Sequence, residues 1–182
     1  MKTKIPTEIE NIDEIVELWK SNRLTTLEYL QKVSEEELLK RPEGGWSLSE
    51  VGEHLYLTQL NIARMIPVAL GGKVGFPSQA QNDLDFRKIR VGLSRPTGFK
   101  NPENLSPLNN YPLSELLSRL TDAEKKLINN LKDKTKGDLE KRGVEHPAFG
   151  PLNLFNFLWV MSLHEGLHAY AIKQRVVQIL GK

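Results

Sequence analysis

Two of the four histidines in this chain, His164 and His168, stand four residues apart in a segment with helical periodicity. That spacing projects both rings from one face of a helix, with Cβ atoms about 6 Å apart. Two neutral imidazoles so placed can chelate one divalent cation through bonds of about 2.1 Å. Their setting is as informative as their spacing. The inner stripe Leu154, Phe157, Met161, His164, His168 and Ile172 calls for apolar side chains, and imidazoles fill two of its places. Burying them without a partner costs free energy, so something is expected to satisfy them.

The run His164-Glu165-Gly166-Leu167-His168 also spells H-E-x-x-H, the zinc-protease signature whose glutamate is the general base. Glu165 is therefore the candidate catalytic base, although it lies about 100° around the helix from His164 and can face a neighbouring helix instead. The protease reading fails on its third ligand, because residues 169–182 contain no Asp, Glu or His. No strand is expected on which a peptide could be laid.

A third ligand must then come from upstream, where His54, His146 and a carboxylate such as Glu53 are available. His54 is preferred. It falls mid-helix between Val51, Leu55 and Thr58, where it can face the middle of a neighbouring helix, whereas His146 lies in a loop before Pro147. Three imidazoles leave a cation one open position, which is the catalytic rather than the structural pattern. Such a cation lowers the pKa of bound water to about 7, or holds a thiol as thiolate. Zinc and nickel both suit imidazole.

Composition narrows the class. The chain has 182 residues, 39% hydrophobic, and no cysteine. It therefore has no disulfide, no thiolate nucleophile and no cysteine-ligated metal of its own. Lys+Arg number 25 against 23 Asp+Glu, a balance that argues against a nucleic-acid-binding stripe or a polybasic membrane anchor. The first residues lack an apolar signal region, and the longest apolar run, residues 154–163, is about half a membrane span. A cytoplasmic location is expected.

Four segments must position the histidines. Ile9, Ile12, Val16, Trp19, Leu27 and Leu30 predict a helix over about residues 8–33, with Arg23 interrupting the stripe. Ser47 and Glu50 have capping-box spacing and open a second helix to about residue 70, with Pro67 expected to kink or fray its last turn. Residues 71 to about 110 carry no periodicity, and so long a connection suits a crossover that lets neighbouring helices run parallel, or a cover over a binding site. A third helix spans about 112–132, and a fourth, capped by Asn153, runs to about 180. Four such helices without a strand signal predict an all-α, single-domain four-helix bundle over residues 1–182.

Trp46-Ser47, Glu53-His54-Leu55, His146-Pro147-Ala148-Phe149-Gly150 and His164-Glu165-x-x-His168, in this order, resemble the DinB/YfiT-like superfamily. The resemblance implies a four-helix bundle with a long crossover and a divalent metal held by His54, His164 and His168. It also implies a small-molecule substrate, frequent homodimers, and relatives among bacillithiol- and mycothiol-dependent S-transferases and a thiol-dependent maleylpyruvate isomerase. A thiol S-transferase with a low-molecular-weight thiol co-substrate is the expected activity. A metal-dependent hydrolase using bound hydroxide, or a non-catalytic metal-binding stress-response module, is the alternative. Relatives often carry Arg and Gln where this chain has Leu167 and Ala171, positions that are not ligands.

Overall fold

Helix α1, Ile12–Leu30, starts where the Asn11 side chain accepts from the backbone N–H of Glu14 at 3.0 Å. Its buried face is Ile12, Ile15, Trp19, Arg23, Thr26 and Leu30. The three- and four-residue steps of this face are those of the sequence stripe, but Arg23 belongs to it rather than interrupting it. The structure is a computed structural model that describes residues 9–78 and 102–181. Residues 79–101 of the expected connection lie outside the described residues.

A short helix α2, Glu35–Leu39, follows, closed by a reciprocal capping box between Ser34 and Glu37. Helix α3, Leu48–Leu70, opens on the expected box. Ser47 Oγ accepts from the Glu50 N–H at 3.1 Å, and Glu50 Oε2 accepts from the Ser47 N–H at 2.7 Å. Pro67 does not break α3. Proline has no N–H to give the carbonyl four residues earlier, that of Ala63. Asn130 Nδ2 donates to that carbonyl instead, at 2.6 Å, and the helix continues to Leu70.

Helix α4, Leu113–Leu131, buries Leu116, Leu120, Ala123, Leu127 and Leu131, with Pro112 just before its first turn. A short α5, Lys136–Glu140, is capped by Thr135. Helix α6, Leu154–Ile179, is capped by Asn153, whose side chain accepts from the Asn156 N–H at 2.8 Å.

Between these helices lies a three-stranded antiparallel sheet that the sequence reading lacked. Strand β1, Phe76–Pro77, pairs with β2, Arg142–His146, which pairs with β3, Gly150–Asn153. Strands this short, and rich in glycine and proline, cannot display the alternation by which a strand is recognised. Gly143 has no side chain because the Phe76 ring occupies the place a Cβ would take.

Contacts fix the helix directions. Ser49 on α3 donates to the Tyr111 carbonyl at the start of α4, Tyr56 meets Arg119, and Ala63 meets Asn130. The numbers rise together, so α3 and α4 run parallel and the connection between them is a crossover. Helices α1 and α6 are also parallel: Asn22 meets Ser162, and Lys173 lies over the Tyr29 ring. The core falls into two large apolar clusters, with a small third at Leu152 and Val160. One joins Ile15, Trp19, Ile62, Ile66, Leu127 and Leu158, and the other joins Leu30, Leu48, Leu55, Leu116, Leu120 and Ile172. Between them, at mid-height, lie Arg23, His54, Gln59 and Glu165, so the bundle has a polar waist.

Replacing Ser47 by Ala removes the cap acceptor at the head of α3. The expected loss is about 1 kcal/mol of stability, read as a lowered urea midpoint at unchanged m. An unchanged midpoint would show that Glu50 alone holds this helix start.

Candidate metal centre

The waist brings three imidazoles together. His54 stands in the second turn of α3, and its ring centroid lies 5.4 Å from that of His164 and 5.1 Å from that of His168. The two rings on α6 are 4.5 Å apart, with Nε2 to Nε2 at 3.1 Å. One ligand nitrogen from each of the three lies within 4.8 Å of the others, and among the described residues this is the group of acidic or histidine side chains so gathered. Two nitrogens bound to one tetrahedral cation at 2.1 Å are about 3.4 Å apart, so the α6 pair is already at ligand separation. The donor set is borderline-soft, neutral and matched to zinc or nickel.

The orientation of His54 is set by its surroundings. Its Nδ1–H donates to the Leu105 carbonyl at 3.0 Å, which leaves the Nε2 lone pair for the cluster. Trp46 packs against the same ring at 5.2 Å between centroids. The Trp46 carbonyl in turn accepts from Arg175 Nη1 at 2.6 Å. Trp46 is thus a wall of the site.

Glu53, one of the upstream alternatives, points elsewhere. It is 0% exposed. It accepts from the backbone N–H of Leu108 at 3.2 Å and of Asn109 at 2.9 Å, and from Asn109 Nδ2 at 2.5 Å. Consecutive residues of α3 therefore fasten the described end of the crossover, His54 through Leu105 and Glu53 through Asn109. His146 stays outside the cluster as well. The β2–β3 hairpin folds it against Phe149 at 4.7 Å and Phe157 at 6.0 Å, and its Nδ1 accepts from the Ala148 N–H at 3.1 Å.

Glu165 lies on the α1 side of α6. It is 2% exposed, and its Oε1 is 3.0 Å from Arg23 Nε. Arg23, 0% exposed, also donates from Nη2 to Gln59 Oε1 at 2.7 Å. Burial pushes the Glu165 carboxyl up from its ordinary range, and the Arg23 guanidinium opposes that shift. Tyr56 faces away from the histidines, towards Arg119 and Tyr111.

All four histidines are held neutral. Burial lowers His168 to about 3 and His146 to about 4. Burial pushes His164 well down, with His168 beside it adding to the effect. Burial also lowers His54, against the raising influence of its Leu105 hydrogen bond. Three neutral nitrogens with lone pairs are what a divalent cation requires.

Comparison with known proteins agrees with this architecture. The sequence profile of the DinB superfamily matches residues 18–172. The uncharacterized protein YuaE of Bacillus subtilis (strain 168) is 22% identical over 153 residues, covering 84% of this chain and 91% of YuaE. The fold resembles that of YfiT from Bacillus subtilis, described as a probable metal-dependent hydrolase with an unusual four-helix bundle topology. The TM-score is 0.65 at 17% identity, covering 98% of this chain and 93% of YfiT. The four-helix bundle protein TT2238 gives a TM-score of 0.59 at 21% identity, covering 89% of this chain and 98% of TT2238.

The depressed histidines make stability depend on pH with a definite sign. The unfolded chain protonates its imidazoles near pH 6.5, whereas the folded chain resists down to about pH 4 at His146 and about pH 3 at His168. The unfolded state binds more protons in that window, so stability falls as pH falls below about 6.5. Each such group contributes about 1.4 kcal/mol per pH unit. Urea unfolding with chelator present, at pH 7, 6 and 5, reads this slope, and a flat profile would contradict neutral buried imidazoles.

Proposed function

The chain belongs to the DinB superfamily, and from that footing we propose that it is a divalent-metal-dependent enzyme, with His54, His164 and His168 as ligands. The observation that carries this reading is the convergence of three imidazoles at the waist of the bundle, with one ligand nitrogen from each within 4.8 Å of the others. A divalent cation bound there supplies Lewis acidity, which lowers the pKa of a coordinated thiol or water. The chain's own groups do the rest. His54 keeps its Nε2 lone pair available because its other nitrogen is tied to Leu105. Trp46 walls one side of that ring.

Transfer of a low-molecular-weight thiol to an electrophilic small molecule is the activity we assign. The chain has no cysteine, so the sulfur must come from a co-substrate. Hydrolysis by bound hydroxide is the second reading, favoured by the likeness to YfiT, whose description names a metal-dependent hydrolase. Glu165 is not read as the base in either case, because Arg23 holds its carboxylate on the α1 side. Among the described residues no helix is long and apolar enough to cross a membrane, and we place the protein in the cytoplasm as one domain. Leu167 and Tyr170, both exposed on the outside of α6, support a homodimer.

Metal analysis of purified protein tests the centre. About one zinc or nickel per chain is expected for the native protein, and His54→Ala or His164→Ala should lose at least the roughly 100-fold in affinity that supporting contacts alone can be worth. Equal metal content in native and variants ends the proposal. Because the ligands are already neutral, metal titration at pH 7 should release no protons from the imidazoles, and the heat in buffers of different ionisation enthalpy should report at most the fraction of one proton that a bound water of pKa about 7 gives up. Turnover of a halogenated or epoxide acceptor that requires added bacillithiol, mycothiol or glutathione supports the transferase; turnover without thiol, rising through neutral pH, supports the hydrolase.

A further inference from the structure

We propose that Arg23 is a positioning residue for the metal centre, its guanidinium tying Gln59 on α3 to Glu165 on α6 and so fixing the two helices that carry the three imidazoles. The inference rests on the metal-centre reading above and adds to it a residue on a helix that contributes no ligand.

Placement is the first argument. Gln59 is five residues beyond His54 on α3, and Glu165 is the residue next to His164 on α6. Arg23 reaches both, with Nη2 at 2.7 Å from Gln59 Oε1 and Nε at 3.0 Å from Glu165 Oε1. A rigid planar group with several donors therefore spans the two ligand-bearing helices at the height of the ligands. Adjacent residues on a helix are held at about 100° to one another. Any rotation of α6 that released Glu165 from Arg23 would swing His164 and His168 by the same angle, away from His54.

Reinforcement on the same helix pair is the second. Asn22 Nδ2 donates to the Ser162 carbonyl at 2.9 Å. Gly166 leaves room for this, since a Cβ there would come within 2.9 Å of the same Asn22 nitrogen. Helix α1 thus grips α6 at positions 162, 165 and 166, on both sides of His164. The H-E-G of the apparent protease signature is the surface by which α6 is held, with only its histidine turned to the centre.

Energetics is the third. A charged pair this deep is weak as a source of stability, because apolar residues of equal volume commonly do as well or better. Its best-attested use is to fix register, and register is what a site needs when its metal–ligand distances tolerate only about 0.2 Å.

The test separates register from stability. In the variant Arg23→Met/Gln59→Leu/Glu165→Met the polar set is replaced by apolar side chains of similar volume. The expected result is a metal-free melting temperature equal to or above native, with affinity for added zinc weakened about 10- to 100-fold. The visible absorption of bound cobalt should shift as its ligand geometry changes. Native zinc affinity and a native cobalt spectrum in this variant overturn the inference while leaving the metal centre intact. Should the triple variant fail to fold, Gln59→Leu decides: it leaves Arg23 and Glu165 paired, removes only the tether to α3, and is expected to weaken zinc binding about tenfold. Unchanged binding there overturns the inference. Native protein that takes up neither zinc nor cobalt removes the metal-centre reading, and this inference with it.

Discussion

A guanidinium lies in the middle of an apolar bundle only at a cost, which an opposite charge beside it reduces. Arg23 sits there, wholly enclosed, and the architecture around it follows from that cost. A carboxylate from α6 and a side-chain amide from α3 must reach the same height as α1. The apolar core is accordingly split into two clusters, one on each side of the level where polar groups meet. The same level is where α3 and α6 can place imidazoles facing each other without meeting an apolar wall. Packing above and below supplies stability, and the waist supplies position.

The helices of this fold were legible because their signals are local. Capping boxes at Ser47, the asparagine at 153 and the leucine steps of α4 place helix boundaries to within a few residues. The box at Ser34 and Glu37 is equally explicit and marks α2, a helix of five residues that is too short to show a period. The hairpin and its partner strand were not legible. Strand β1 is ordered by pairing with the distant β2, with Phe76 lying where Gly143 has no side chain, and the β2–β3 hairpin is too short to alternate. Contacts of that kind leave no periodic trace.

The centre was legible in part, for a related reason. His164 and His168 stand on an apolar stripe, and His54 stands at the edge of another, so each announces that it is out of place. Arg23 gave the same announcement on α1, but an arginine in a stripe reads equally as an ordinary break towards solvent. Only the arrival of Gln59 and Glu165 from other helices decides between the two. Glu165 shows how little adjacency in a motif says about direction: helical geometry turns neighbouring side chains apart, and this one lies beside Arg23.

Pro67 shows how far the helices depend on each other. The last turn of α3 contains a residue that, taken alone, forbids it, and it exists because an amide from α4 fills the missing place in the ladder. Part of the support for that turn arrives only when α4 docks. Local and global order are joined at this point, so fraying of α4 near Asn130 would propagate into α3, and the two should melt as one unit.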